Sequence, residues 1–127
     1  MKSVVIAIII AIILIFGAMF FKKNENSIDQ ENINNVSIVN DQQIITINAK
    51  GGYIPKVSSA KAGMPTLLRF NTKGTFDCSA SVRIPSMNIS QVLPNSGVTD
   101  INLGNQPIGV LQGTCGMGMY PFEINFQ

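Results

Sequence analysis

The chain ends on a strict two-residue alternation. Between Tyr120 and Gln127, Phe122, Ile124 and Phe126 fall on one side and Glu123 and Asn125 on the other. That period fits a strand with one buried face and fits no helix. The same rhythm returns upstream. Ile45, Ile47 and Ala49 share a face in Gln43 to Ala49, and Leu68 and Phe70 share one in Thr66 to Thr72. Ala80, Val82 and Ile84 match within Cys78 to Ile84. Val98 to Leu103 and Gly109 to Cys115 read as further strands and Ile89 to Leu93 as a short one. Tyr53 to Ala60 reads as extended, with Pro55 at an edge or bend. Turn residues separate these segments: Gly51-Gly52, Lys61 to Pro65, Lys73-Gly74, Pro85 to Asn88, Pro94 to Gly97 and Gly104 to Ile108. Short strands at this spacing, with no amphipathic helix among them, predict an all-β Greek-key sandwich of about 85 residues over 41–127. Such a domain is large enough to hold one apolar core.

The N-terminal part reads differently. Val4 to Phe21 is an unbroken apolar run of 18 residues between Lys2 and Lys22-Lys23. As a helix it would reach roughly 27 Å, close to the thickness of a bilayer core. Signal-peptide cores are shorter and end at small residues, whereas Phe16-Gly17-Ala18 puts a bulky side chain where a small one is needed. A retained membrane anchor over 1–23 is therefore expected in preference to a cleaved signal. Residues 24–40 are polar and Asn-rich and read as a flexible linker, with Val36 to Val39 able to open the first strand. The domain beyond is expected to be extracytoplasmic, at the cell membrane.

From Asp41 onward there are six basic and four acidic residues with no cluster. This excludes the basic stripe a nucleic-acid partner would require. The chain has no histidine, so the usual Ser-His and Cys-His nucleophile pairs are absent, and there is no phosphate-binding glycine loop. No enzyme is expected.

The chemistry-bearing residues are sulfurs. Thr114-Cys115-Gly116-Met117-Gly118-Met119-Tyr120 places one thiol and two thioethers within five residues, and Cys78 is the only other cysteine. Thiolates and thioethers are soft donors that select Cu(I), whereas zinc rarely accepts methionine. A sandwich can bring the start of a middle strand and the end of the penultimate strand to one pole. Cys78, Cys115, Met117 and Met119 are thus the candidate metal ligands. The spacing leaves open which thioether is closer.

These residues resemble the cupredoxins, and in particular the cupredoxin-like domains of bacterial copper-handling proteins. The resemblance runs through Asp77-Cys78-Ser79, Ile84-Pro85-Ser86-Met87-Asn88-Ile89, Leu93-Pro94 and Cys115-Gly116-Met117-Gly118-Met119. It implies that Cys115 takes the cupredoxin thiolate position, that Cys78 stands where blue-copper proteins place a histidine, and that Met119 or Met117 supplies a thioether. With no imidazole, such a site favours holding Cu(I) over cycling through Cu(II). The implied function is an extracytoplasmic, membrane-anchored copper-binding protein that holds Cu(I) for copper homeostasis or delivery. A copper transporter or an oxidase under assembly is the implied partner.

Two alternatives stand beside this reading. One is an electron-transfer cupredoxin. The other is an interaction module stapled by a Cys78–Cys115 disulfide, worth roughly 3–4 kcal/mol by loop entropy. Met117 and Met119 could be core filling. Met87 is expected in a loop or the core, Tyr120 and Phe76 beside the pole, and Asp77 as a turn or cap acid. Asn35-Val36-Ser37 and Asn88-Ile89-Ser90 match a glycosylation pattern that is common by chance.

Overall fold

The computed structural model describes residues 1–20 and 34–127, with side chains described from 1–17 and 34–127. The chain divides into two units, Met1–Asn32 and Ile33–Gln127. In the first, α1 (Lys2–Phe20) forms where the apolar run lies. Its large apolar side chains from Val4 to Phe16 are exposed. The run was expected to span a bilayer. Among the described residues, however, no helix is long and apolar enough to cross a membrane. The fold therefore supplies a helix without establishing a span. Of the expected linker, 24–33 lies outside the described residues.

The second unit is built from β1 (Val36–Val39), β2 (Gln42–Ala49), β3 (Tyr53–Ile54), β4 (Val57–Ala60) and β5 (Pro65–Thr72). It continues with β6 (Ser81–Ile84), β7 (Ile89–Val92), β8 (Gly97–Asn105), β9 (Gly109–Cys115) and β10 (Pro121–Phe126). One sheet has the order β1-β2-β5-β8 with β3 added to β2; the other runs β4-β10-β9-β6-β7. Most pairs are antiparallel, but β2 with β5 and β4 with β10 are parallel. The chain leaves the first sheet after β3, crosses to the second as β4, and returns as β5. The single extended segment expected over Tyr53 to Ala60 is thus two strands in different sheets, broken at Pro55-Lys56.

The domain begins earlier than 41. Val36 pairs with Ile45 and Val39 with Gln42, so the end of the expected linker is a sheet strand. Just before it, the Asn35 side-chain amide donates to the Thr46 carbonyl at 3.1 Å and to Ser58 Oγ at 2.8 Å. Those bonds tie the chain entry to both sheets and leave the amide engaged, which counts against sugar attachment there.

The alternation read in the sequence is the core. Ile45, Ile47, Ala49, Leu68, Phe70, Val82, Ile84, Phe122, Ile124 and Phe126 are all buried. Fully burying a side chain of this kind contributes about 1.5–3 kcal/mol. At the centre, Tyr53, Phe70 and Phe122 meet edge to face, with ring centroids 5.0–5.7 Å apart. Gly113 makes room for this triad. It sits opposite Phe122 in the β9–β10 ladder, and a Cβ there would lie 2.1 Å from Phe122 Cζ. Among the described residues the one fully buried side-chain amide, Gln43, is satisfied: it donates to Lys61 O and Thr66 Oγ1 and accepts from Lys61 N.

Candidate metal centre

Three segments meet at one pole of the sandwich: the Lys50–Gly52 turn after β2, the loop from Thr75 to Ala80, and the Gly116–Tyr120 turn between β9 and β10. Cys78 was expected to start β6. It lies instead in a one-turn 3-10 segment, Cys78–Ala80, just ahead of that strand. Pro85–Met87 forms a second such turn where a loop was expected. The reason for the first turn is Asp77. Its carboxylate caps the segment by accepting from Ser79 N at 2.8 Å and from the Ser79 hydroxyl. Its other oxygen accepts from Gly51 N at 2.6 Å. One side chain therefore fixes the Cys78 turn and pins it to the neighbouring Gly51 turn. This is the cap acid that the sequence suggested, with a wider reach.

The hydroxyl and backbone N–H of Ser79 hold the Asp77 carboxyl below its ordinary value against the opposing effect of burial, with lesser help from the Gly51 N–H and the Lys50 charge. Its stabilising contribution is present above the unfolded value, about 4, and is lost as pH falls through the lower folded value. Asp77→Ala should therefore destabilise the domain by roughly 1 kcal/mol at neutral pH, as a lost cap does. It should also flatten the fall in stability as pH drops below about 4. Asp100, held low mainly by its hydrogen bond from Arg69, keeps its own share of that fall. Urea midpoints across this range check both effects; an unchanged pH profile would contradict the assignment.

Cys115 ends β9 with its side chain wholly buried, at 0% exposure. The turn that follows is closed by Gly118 N to Cys115 O at 2.9 Å and by Cys115 N to Tyr120 O at 3.1 Å. Gly118 takes φ +76, which a side chain would strain. Tyr120 packs against the core and lies over Gly52. Gly116 is close against Ser81, where a Cβ would come within 2.8 Å of Ser81 Oγ. The Tyr53 hydroxyl donates to Ser81 O at 3.0 Å from below, and burial raises its pKa well above the usual tyrosine value.

The structure brings Cys78 and Cys115 together: the two are joined as a disulfide with Cα atoms 5.6 Å apart. The Met117 backbone N–H points at Cys78 Sγ, 3.4 Å away. Met117 and Met119 are 78% and 60% exposed, so neither fills the core. Phe76 was expected to pack beside the pole but is 80% exposed. Met87 is partly buried against the core, as expected. Among the described residues there is no cluster of three or more His, Cys, Asp or Glu side chains suited to a metal. The soft donors at this pole are the two cysteine sulfurs and the thioethers of Met117 and Met119. The donor set fits a soft monovalent ion and fits zinc poorly. The thiol pair must be reduced before it can serve as a ligand pair.

Residues 8–124 match the family model described as the cupredoxin-like domain. The chain belongs to that family. Among curated proteins nothing matches it. Among solved structures, it is similar to the metal-binding domain of the Streptococcus pneumoniae D39 Cu(I)-exporting P-type ATPase CopA with Cu(I), at 22% identity and TM-score 0.66, over 72% of this chain and 92% of that one. It is equally similar to a copper-binding protein solved in its apo form, at 22% identity and TM-score 0.67, over 72% and 94%. A chain of a heme-copper terminal oxidase aligns over 99% and 98% at 14% identity and TM-score 0.52. At these identities the likeness establishes the fold.

Proposed function

We propose that this protein binds one Cu(I) at the pole, through the reduced thiolates of Cys78 and Cys115 with Met117 or Met119 as thioether ligand, and holds it for copper handling or delivery. The observation that carries this reading is the placement of the sulfurs. Two cysteines are adjacent, and two methionines in the same turn are exposed where core packing would have buried them. Membership of the cupredoxin-like family supports it. So do two structural neighbours whose own descriptions name copper binding, one of them a domain of a Cu(I)-exporting ATPase.

The ion is cargo. Thiolate ligation releases protons on binding, and the Met117 N–H beside Cys78 Sγ would stabilise charge on that sulfur. The turn residues, fixed by Asp77 and by the Gly116–Ser81 contact, would keep the sulfurs convergent without large rearrangement. The exposed apolar side chains of α1 favour a membrane anchor; the extracytoplasmic placement of the domain is part of the same proposal and rests on its reading as a secreted-type β domain. A copper transporter or oxidase would be the natural recipient. Loss of Cu(I) affinity without loss of stability is the signature of a thioether ligand, since Met→Leu keeps most of the volume. Met117→Leu and Met119→Leu are each made in the full-length protein, reduced, and titrated anaerobically with Cu(I) against a competing chelator. At least one should weaken binding about tenfold, about 1.4 kcal/mol, while urea midpoints hold. Unchanged affinity in both would remove the thioethers from the site.

A further inference from the structure

We propose that the Cys78–Cys115 disulfide is a thiol-exchange site with a fixed direction: external thiols attack Cys78 Sγ, and Cys115 is always the sulfur released. The inference rests on the asymmetry of the two positions and not on copper binding. Cys115 is wholly buried. It faces inward from β9, held between β6, through Val82, and the turn closed by Tyr120. Cys78 is only half-buried, in a loop segment whose neighbours Phe76 and Asp77 are exposed. Exchange requires a thiolate to reach the sulfur it attacks. Only Cys78 offers that access.

The steps balance. An external thiolate attacks Cys78 Sγ, a mixed disulfide forms there, and the Cys78–Cys115 bond breaks with its electron pair on Cys115 Sγ, which takes a proton. Cys115 is then poised to attack back and expel the incoming thiol. Net reduction therefore requires a second thiol to attack the external sulfur of the mixed disulfide. Cys78 then leaves as a thiolate, with the Met117 N–H directed at it from 3.4 Å. The external thiols end as a disulfide, two electrons having passed to the cysteine pair. A dithiol supplies the second attack from within one molecule, before Cys115 can reverse the first. The matching partner is thus a dithiol reductant, and a monothiol of equal thiol concentration would reduce the pair more slowly. In reverse, a disulfide reoxidises the pair by entering at Cys78.

The test uses the oxidised full-length protein and no copper. Reduced glutathione is the probe, the reaction is quenched with acid before completion, the released thiol is alkylated, and peptides are mapped by mass spectrometry. The expected result is glutathione on Cys78 and alkyl on Cys115, in more than about tenfold excess over the converse. The same reaction in strong denaturant should lose that preference. Equal labelling in the folded protein, glutathione on Cys115, or a preference that survives denaturation would each overturn the proposal. So would a purified protein whose two thiols resist oxidation by glutathione disulfide. A positive result here with no Cu(I) uptake would leave the exchange site standing and remove the copper reading.

Discussion

Gly113→Ala should be among the most damaging single substitutions in the domain, costing about 3 kcal/mol. The added Cβ would sit 2.1–2.7 Å from three Phe122 ring atoms. That ring cannot simply turn aside, because Tyr53 and Phe70 hold it edge-on. Overpacking of this kind forces off-rotamer side chains or strand displacement, and 3 kcal/mol is a large share of the roughly 5–15 kcal/mol that holds a typical domain together. Urea denaturation checks it. The control is Phe122→Leu, which costs stability alone by vacating ring volume. Combined with Gly113→Ala it should cost less than the sum of the two, because the methyl then has space to occupy. A Gly113→Ala midpoint close to wild type would mean that the β9–β10 ladder is looser than described.

The second large effect is redox-dependent. The disulfide closes a loop with a sequence separation of 37, and its loss should cost about 4 kcal/mol in the loop-entropy model. If the freed thiolates bind Cu(I), that loss is recoverable. A ligand that binds only the folded state stabilises by about 4.1 kcal/mol at a thousandfold excess over its dissociation constant. Thermal unfolding of the oxidised, reduced and reduced-plus-Cu(I) forms should therefore give high, low and high midpoints. A protein whose reduced form gains nothing from Cu(I) would be the stapled module instead. On the proposed function, staple and metal would be two uses of one pair, separated by two electrons.

How far the sequence carried the reader differs by element. Alternation located the core positions of β2, β5, β6 and β10, since a strand with one buried face writes its burial into every second residue, but it assigned no buried face to Ile101, Leu103 or Leu111 in β8 and β9. Ile45, Ile47, Leu68, Phe70, Phe122, Ile124 and Phe126 were all legible this way. Sheet membership was not. Tyr53 to Ala60 has a continuous extended pattern, yet it splits between sheets, because periodicity records which face is buried and not which neighbour supplies the hydrogen bonds. The entry strand Val36–Val39 was half legible, its Asn-rich approach masking an edge strand with little burial. At the pole, strand order allowed Cys78 and Cys115 to converge and the cupredoxin resemblance pointed to it, although Cys78 sits in a turn ahead of β6 and not at its start. Gly113 was missed, because a glycine beneath a facing ring leaves no pattern along its own strand. The exposure of Phe76 was also missed: an aromatic beside a cysteine suggests packing, and only the Asp77-capped turn directs it outward. Anchoring remains a reading of the apolar run, with α1 present and no span established among the described residues.

The most direct test of the copper reading is a count of copper and free thiols in the reduced full-length protein after anaerobic Cu(I) loading and removal of loose metal. Wild type should retain one copper per chain and protect both thiols from alkylation, whereas Cys78→Ser and Cys115→Ser should retain almost none. Copper absent from wild type, or retained equally by Cys115→Ser, would contradict a site built on these two sulfurs.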